Sequence, residues 1–164
     1  LILGEGGSSR LAVNLCERRG LVYEIYSALS TFSMTGTLDI NFSSSPQKLG
    51  KIVEEVLLEV EKMKGGTSPK ELARAKAQKE RDIIFSLDDP GHLSKIFGLD
   101  LLLDGVKTPE EKLEEVRRIT TQDVQTLADE IFVPQKLSFV VVGPCKMDQK
   151  ERVEDIISGF AERA

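Results

Sequence analysis

The sequence predicts an α+β fold in which helices pack on one face of a small, largely antiparallel sheet. Two runs, at 23–30 and 38–43, alternate between apolar and polar residues, and a short connection containing Gly36 joins them. This pattern is typical of an antiparallel hairpin. After residue 46, apolar residues instead recur every three or four positions, which indicates amphipathic helices. No internal repeat or linker divides the chain, so residues 1–164 are predicted to form one domain.

The amino-terminal segment is predicted to contain a turn and one helix. Residues 4–9 (G-E-G-G-S-S) form the turn, and its serines can cap a helix over 10–19 that ends at Gly20. The apolar start at 1–4 is expected to be the tail of an earlier element. We therefore expect a fold truncated at its amino end, in a chain that is a piece of a longer protein.

Capping signals predict where the later helices begin. An apolar stripe predicts a helix over 46–64, with its many glutamates on a solvated face. Residues 68–71 (S-P-K-E) and 108–111 (T-P-E-E) each combine a cap, a proline at the first helical position and a glutamate at the third. A break at 88–91 (D-D-P-G) separates the second helix from another over 93–103.

The carboxyl-terminal part is predicted to contain two helices with a strand between them. Thr120 or Thr121 caps the first of these helices, and the last one runs from about residue 150. Residues 137–143 (L-S-F-V-V-V-G) are too few and too rich in β-branched side chains for a helix. They are therefore predicted to form a buried strand.

Composition excludes several classes of protein. The 22 basic and 27 acidic residues give a net charge of −5, whereas a surface that binds nucleic acid is normally basic. No apolar run approaches the roughly 20 residues that a membrane-spanning helix needs. We therefore expect neither a nucleic-acid partner nor a membrane span. The two cysteines, Cys16 and Cys145, are too few for a disulfide framework and indicate no cellular compartment.

Side chains that commonly carry out catalysis are scarce. His92 is the one histidine, so the chain cannot supply both histidines of a His-x-x-Glu-His zinc site. At the start of a predicted helix, His92 is expected to be a capping or solvated residue. Residues 4–9 fit neither of the two glycine motifs that bind nucleotides, and Cys16 is expected to be an ordinary helix thiol. These residues alone identify no reaction.

Two neighbouring segments resemble one family. Residues 3–11 (L-G-E-G-G-S-S-R-L) and 17–23 (E-R-R-G-L-V-Y) are similar to the carboxyl-terminal half of the pitrilysin/insulinase-type zinc peptidases. These enzymes are inverzincins and include the mitochondrial processing peptidases. The order of the later elements agrees over nearly the whole chain. The resemblance implies the metallohydrolase-half, processing-peptidase-like fold, here without its first elements.

The resemblance also implies a function. Such peptidases have two similar halves that face each other across a substrate chamber, and the amino-terminal half holds the zinc. The carboxyl-terminal half carries no metal, closes the peptide chamber and contacts the substrate through an Arg/Tyr pair. This chain is therefore expected to bind no cofactor itself and to be inert as an isolated fragment. Its expected partners are a peptide and the other half or a partner subunit, in a homo- or hetero-oligomer.

Of the family's Arg/Tyr pair, this sequence retains only the tyrosine. Tyr23 is the candidate donor to a substrate carbonyl, whereas the position of the family's Arg, seven residues earlier, is Cys16. Arg18 and Arg19 correspond to ordinary basic residues that follow it. A thiol cannot replace a permanently charged guanidinium. Two interpretations follow: the non-metal half of a zinc-dependent endopeptidase, or a degenerate, non-catalytic structural subunit of the same fold.

The resemblance predicts a geometry for these two residues. Tyr23 is expected to begin the first strand with its phenol towards the chamber, and Cys16 to lie one helix away, facing the same space. The alternative is that the ring of Tyr23 packs in the core with a satisfied hydroxyl.

Overall fold

The computed structural model describes residues 1–103 and 105–163; Asp104 and Ala164, which belong to the predicted domain, lie outside the described residues. Six α-helices and one hairpin account for most of the described chain. In chain order the elements are a π-helical segment (Ala12–Arg18), strands β1 (Ile25–Thr31) and β2 (Gly36–Phe42), and helices α1 (Leu49–Lys64), α2 (Pro69–Ser86), α3 (Pro90–Leu103), α4 (Pro109–Arg118), α5 (Thr121–Ile131) and α6 (Met147–Arg163). This is the predicted α+β class.

The hairpin is antiparallel, as predicted. Ile25 lies opposite Phe42 at its open end, and Leu29 lies opposite Leu38 nearer its tip. Phe32 N–H donates to the carbonyl of Thr35 at 2.8 Å and closes the connection. Ile25 is buried whereas Leu29 and Leu38 are exposed, so the hairpin enters the core only at its open end.

Helix α1 is the centre of the core. Its apolar residues recur at the predicted helical spacing, and they are buried against α5, α6 and the amino-terminal segment. Burial of one such side chain contributes roughly 1.5–3 kcal/mol, so this helix supplies a large share of the folding free energy. The buried apolar residues of α1 are Leu49, Ile52, Val53, Val56, Leu57, Val60 and Met63.

The predicted capping boxes are confirmed at Ser68 and Thr108, where each side chain accepts from the backbone three residues on. Thr120, rather than Thr121, caps α5 in the same way. Helix α3 begins three residues before its predicted start because Asp89 Oδ1 accepts from the N–H of His92 at 3.0 Å. Among the described helices, none combines the length and hydropathy that a membrane crossing requires.

The prediction of a buried strand at 137–143 is wrong. Leu137 has extended backbone angles, but the sheet that the structure describes contains β1 and β2 alone. Val140 is 83% exposed and Val142 is 95% exposed, whereas Phe139 is partly buried and packs against the core. A strand needs a neighbouring strand to pair its N–H and C=O groups, and no described strand lies beside this segment.

A salt bridge from Arg10 links the amino-terminal segment to α2. Its guanidinium donates from Nε to Glu71 Oε1 at 2.8 Å and from Nη2 to Glu71 Oε2 at 3.1 Å. The same Nη2 donates to the carbonyl of Gly66 at 3.0 Å, just beyond the end of α1. Arg74 donates to the carbonyl of Ser8 at 2.7 Å and holds the glycine-rich turn on the same helix. The segment that precedes the hairpin is thus fixed in place by long-range polar contacts.

We expect Gly4→Ala to destabilise the fold by about 1–3 kcal/mol, the usual cost of overpacking. The N–H of Ser27 donates to the carbonyl of Gly4 at 2.8 Å, and a Cβ on Gly4 would lie 2.8 Å from that nitrogen. Urea unfolding measures the change. Gly7→Ala is the matched control, because a Cβ there meets nothing within 4 Å. Equal unfolding midpoints for the two variants would contradict the prediction.

Glu71 gives the fold a predicted pH dependence. The hydrogen bond from Arg10 is the main reason that the pKa of Glu71 is lowered from 4.5 to about 2, against an opposing effect of burial. A lowered pKa in the folded state means that ionised Glu71 stabilises the fold above about pH 4.5, and that this contribution is lost as the pH falls towards 2. The shift corresponds to roughly 3 kcal/mol.

Glu71→Gln, compared with the unsubstituted chain by urea unfolding between pH 7 and pH 2.5, tests this dependence. Glutamine can still close the capping box with Ser68, so the variant loses mainly the ion pair with Arg10. We expect its free energy of unfolding at pH 7 to be lower than that of the unsubstituted chain, and we expect this difference to decrease as the pH falls. Glu114→Gln is the control, because its pair with Arg118 is exposed and is worth less than about 1 kcal/mol. If the difference in free energy of unfolding between Glu71→Gln and the unsubstituted chain stays constant across this pH range, the predicted pH dependence is wrong.

Candidate functional site

The two predicted site residues lie on the two arms of one tight turn. The π-helical segment Ala12–Arg18 carries Cys16, and Tyr23 precedes β1. Gly20 turns the chain between them with φ of 56°, a left-handed conformation that favours glycine. The N–H of Leu21 donates to the carbonyl of Leu15 at 2.8 Å and closes the turn. Helices of the π type are rare and frequently mark functional sites.

The side chain of Tyr23 is fully exposed. The prediction that Tyr23 begins the first strand is wrong by two residues, because β1 starts at Ile25 and Tyr23 lies in the bend before it. The alternative that its ring packs in the core is also wrong. The phenol is therefore free to donate to a ligand.

Cys16 faces the core rather than the space around Tyr23. The thiol is half-buried and packs against the apolar cluster. Burial raises the pKa of Cys16; a hydrogen bond from the backbone of Ile25 acts in the opposite direction, and the charges of Glu17 and Glu24 add to the rise. The thiol is therefore neutral at pH 7, and the structure does not bring it together with the phenol of Tyr23.

Neither neighbouring arginine replaces the family's Arg. Arg19 Nη1 pairs with Glu55 Oε1 at 2.9 Å, and Arg19 Nε donates to Asn14 Oδ1 at 3.0 Å. Its guanidinium is thus committed to contacts within the domain. Arg18 is exposed on the last turn of the π-helical segment.

A buried network of hydrogen bonds and ion pairs holds the π-helical segment against α1. Asn14 Nδ2 donates to Glu59 Oε1 at 3.0 Å and to Glu55 Oε2 at 3.4 Å. Both glutamates are buried, which corrects the prediction that the acidic residues of this helix lie on a solvated face. Buried carboxylates require charged or hydrogen-bonding partners, and both of these carboxylates have them.

Cations complete the network. Lys51 Nζ lies 3.0 Å from Glu55 Oε1, and Lys62 Nζ lies 2.7 Å from Glu59 Oε1. Burial acts to raise the pKa of Glu55, but the hydrogen bonds from Lys51 and Asn14 and the charge of Arg19 outweigh it and hold the pKa below its ordinary value. Glu55 is therefore ionised at neutral pH, and it acts as an anchor for the arm that carries Cys16.

The residues present do not fit a zinc site. No three or more His, Cys, Asp or Glu side chains come together to hold a metal ion within 1–103 and 105–163. His92 is exposed at the start of α3, with its backbone N–H on Asp89, so its predicted place is confirmed.

Sequence comparison relates the chain to zinc peptidases. Residues 1–79 match the family described as "Peptidase M16 inactive domain". A protein named as an uncharacterized zinc protease in Rickettsia felis is 30% identical over 145 residues, which cover 88% of this chain and 35% of that protein. A protein with the same description in Streptomyces coelicolor is 28% identical over 158 residues, with coverages of 95% and 34%. The chain spans about a third of the length of these relatives.

Solved structures show the same fold. A protease from Helicobacter pylori superposes with a TM-score of 0.68 at 21% identity, over 79% of this chain and 32% of that one. A conserved protein from Enterococcus faecalis V583 superposes with a TM-score of 0.68 at 22% identity, with coverages of 78% and 30%. Sequence and fold agree with the motifs at 3–11 and 17–23, and together they support the carboxyl-terminal, inactive-type half of an M16, pitrilysin-type peptidase.

Proposed function

We propose that this domain is the non-metal half of a zinc-dependent endopeptidase, that it closes the chamber in which a peptide binds, and that Tyr23 contacts that peptide. The observation that carries the proposal is the fully exposed ring of Tyr23, which follows the turn at Gly20. The arm before this turn is held on α1 by the hydrogen bond from Asn14 to Glu59. An uncovered aromatic ring forgoes roughly 1.5–3 kcal/mol of burial free energy, which a ligand seated on it would recover.

The phenol has a defined task in peptide hydrolysis. Negative charge develops on the oxygen of the scissile carbonyl, and a positioned O–H group that donates to this oxygen stabilises the charge. Zinc, which this proposal assigns to the other half, polarises that carbonyl and activates water. By itself the domain has a donor but no means of activating water, so we expect the isolated domain to be inert.

Contacts on both sides of the turn fix the backbone that carries this donor. Asn14 and Arg19 fix the arm before Gly20 to Glu55 on α1, and Ile25 enters the core directly after the bend. Tyr23 is therefore displayed between two fixed points. A fixed backbone leaves only the side-chain torsions of Tyr23 to be ordered when the reacting oxygen arrives.

Cys16 favours a second candidate function, a non-catalytic structural subunit of the same fold. Its neutral thiol supplies no charge where the family places a guanidinium, and Arg19 is held by Glu55. In that case Tyr23 contacts a partner chain rather than a scissile bond. An intact His-x-x-Glu-His motif elsewhere in the complete protein supports the peptidase, and its absence supports the structural subunit.

We expect Tyr23→Phe in the complete protein to lower kcat/KM by about 10², the smaller end of the range for loss of one such donor. The variant removes only an exposed hydroxyl, so the unfolding midpoint should not change. Tyr26→Phe is the matched control, because Tyr26 is a partly exposed tyrosine on β1. Unchanged kcat/KM for Tyr23→Phe in an active enzyme would rule out a catalytic role for Tyr23.

Cys16→Arg tests whether the missing charge limits activity. We expect this variant to hold or raise kcat/KM if the pair works within one chain, because a long guanidinium side chain can reach outward from the half-buried position of Cys16 and add a permanent charge to the site. Cys16→Ser is the control for loss of the thiol without gain of charge. A fall in kcat/KM for Cys16→Arg, with unfolding unchanged, would show that the site does not use a cation here.

A further inference from the structure

We propose that the ammonium group of Lys48 supplies the positive charge at the Tyr23 site, in place of the arginine whose position Cys16 occupies. This inference rests on the proposed function, because such a charge acts on a ligand that meets Tyr23. It is carried by one hydrogen bond: Lys48 Nζ donates to the carbonyl of Gly20 at 3.0 Å, on the turn that leads to Tyr23. Position 48 lies outside the motifs at 3–11 and 17–23, so the resemblance does not indicate it.

The register of the hairpin explains why Lys48 lies beside this turn. Phe42 is opposite Ile25, so the chain leaves β2 next to the point at which it enters β1. A single 3₁₀ turn over Pro46–Lys48 follows, and Leu49 is then buried as the first residue of α1. The backbone of Lys48 is therefore fixed by its neighbours, whereas its side chain is exposed.

The charge of Lys48 is not neutralised by a carboxylate. Lys51 and Lys62 are the next two lysines along the chain, and they lie 3.0 Å and 2.7 Å from the carboxylates of buried glutamates. Within residues 1–103 and 105–163, Lys48 forms no ion pair, and the carbonyl of Gly20 is its one hydrogen-bond acceptor. An ammonium group has three N–H donors, so two of them remain for a ligand.

The neighbouring charges leave this role to Lys48. Glu24 follows Tyr23 directly and is exposed, and its negative charge opposes the charge that develops on a nearby substrate oxygen. Arg19 cannot offset it, because Arg19 Nη1 is paired with Glu55 at 2.9 Å. Arg18 has no hydrogen bond among the described residues that directs its guanidinium to the turn. The hydrogen bond to Gly20 directs the ammonium of Lys48 there.

A purely structural role is the alternative, in which Lys48 does no more than tie the turn to the start of α1. The two roles differ in what can replace the lysine. A neutral N–H donor can preserve a hydrogen bond, whereas only another cation preserves the charge. The effect of a charge on an exposed site also weakens with added salt. Variants of Lys48 and ionic strength therefore separate the two roles.

Fluorescence quenching of the 164-residue chain tests where the charge lies. The chain has two tyrosines and no tryptophan, so Tyr23 is the one tyrosine fluorophore in a Tyr26→Phe background. A nearby cation concentrates iodide but not neutral acrylamide. We expect Lys48→Met to lower the quenching constant for iodide about two-fold at low salt, and to leave that for acrylamide unchanged.

Lys79→Met is the matched control for this measurement, because Lys79 is another exposed lysine that forms no ion pair among the described residues. It should change neither quenching constant. Equal quenching by iodide in the Lys48→Met and Lys79→Met chains would overturn the proposal.

Kinetics of the complete protein test what the charge does. We expect Lys48→Met and Lys48→Gln each to lower kcat/KM about tenfold, less than Tyr23→Phe does, because salt partly screens an exposed charge. Lys48→Arg should retain kcat/KM. Added salt should lower kcat/KM more in the unsubstituted protein than in Lys48→Met. A Lys48→Gln variant as active as the unsubstituted protein would show that the hydrogen bond alone matters, and the proposal would be wrong.

The Cys16→Arg background provides the last test. A guanidinium at position 16 supplies a charge to the same site, so Lys48→Met should then lower kcat/KM by less than about threefold. Additive effects of the two substitutions would contradict the proposal. If Tyr23→Phe lowers kcat/KM and Lys48→Met does not, the role of Lys48 is rejected while the proposed function stands. If neither variant lowers it, both are rejected.

Discussion

The guanidinium of Arg10 joins the amino-terminal segment to residues that lie 56 and 61 positions later in the chain. It binds both oxygens of Glu71 at the start of α2 and the carbonyl of Gly66 beyond the end of α1. Arginine is suited to this position because its planar donors are fixed in direction and always charged. The contact sets where the π-helical segment begins, and the turn that displays Tyr23 follows directly from that segment.

A second contact set gives the same segment its orientation. Leu11 and Leu15 are fully buried on one side, while Asn14 reaches the buried carboxylates of Glu55 and Glu59 on α1. Apolar burial and the polar network thus act on different sides of one short helix. Removing one partner of such a network leaves a buried charge without compensation, so the network stabilises this orientation of the segment.

Local features of this fold could be predicted from sequence, and features that depend on distant partners could not. The caps at Ser68 and Thr108 depend on residues three positions away, so the motif itself specifies them. The burial of Glu55 depends on Asn14, 41 residues earlier, and no periodicity reveals that pairing. The segment at 137–143 has strand propensity, but propensity does not supply the neighbouring strand that a ladder requires. At the site, Tyr23 was identified by resemblance, while the inward direction of Cys16 emerged only from packing.

The exposed side chains of this domain fall into two physical classes, and the difference separates their roles. Leu101 and Leu102 are wholly apolar and lie on a helix held by α4 on one side, so they can gain free energy only by packing. Tyr23 combines an apolar ring with a hydrogen-bond donor and stands on a turn fixed at both ends. A donor on a fixed backbone can select an acceptor by direction and distance, whereas an apolar side chain accepts any complementary surface. The turn therefore suits recognition of a particular group on a ligand, whereas the exposed leucines of α3 offer apolar contact alone.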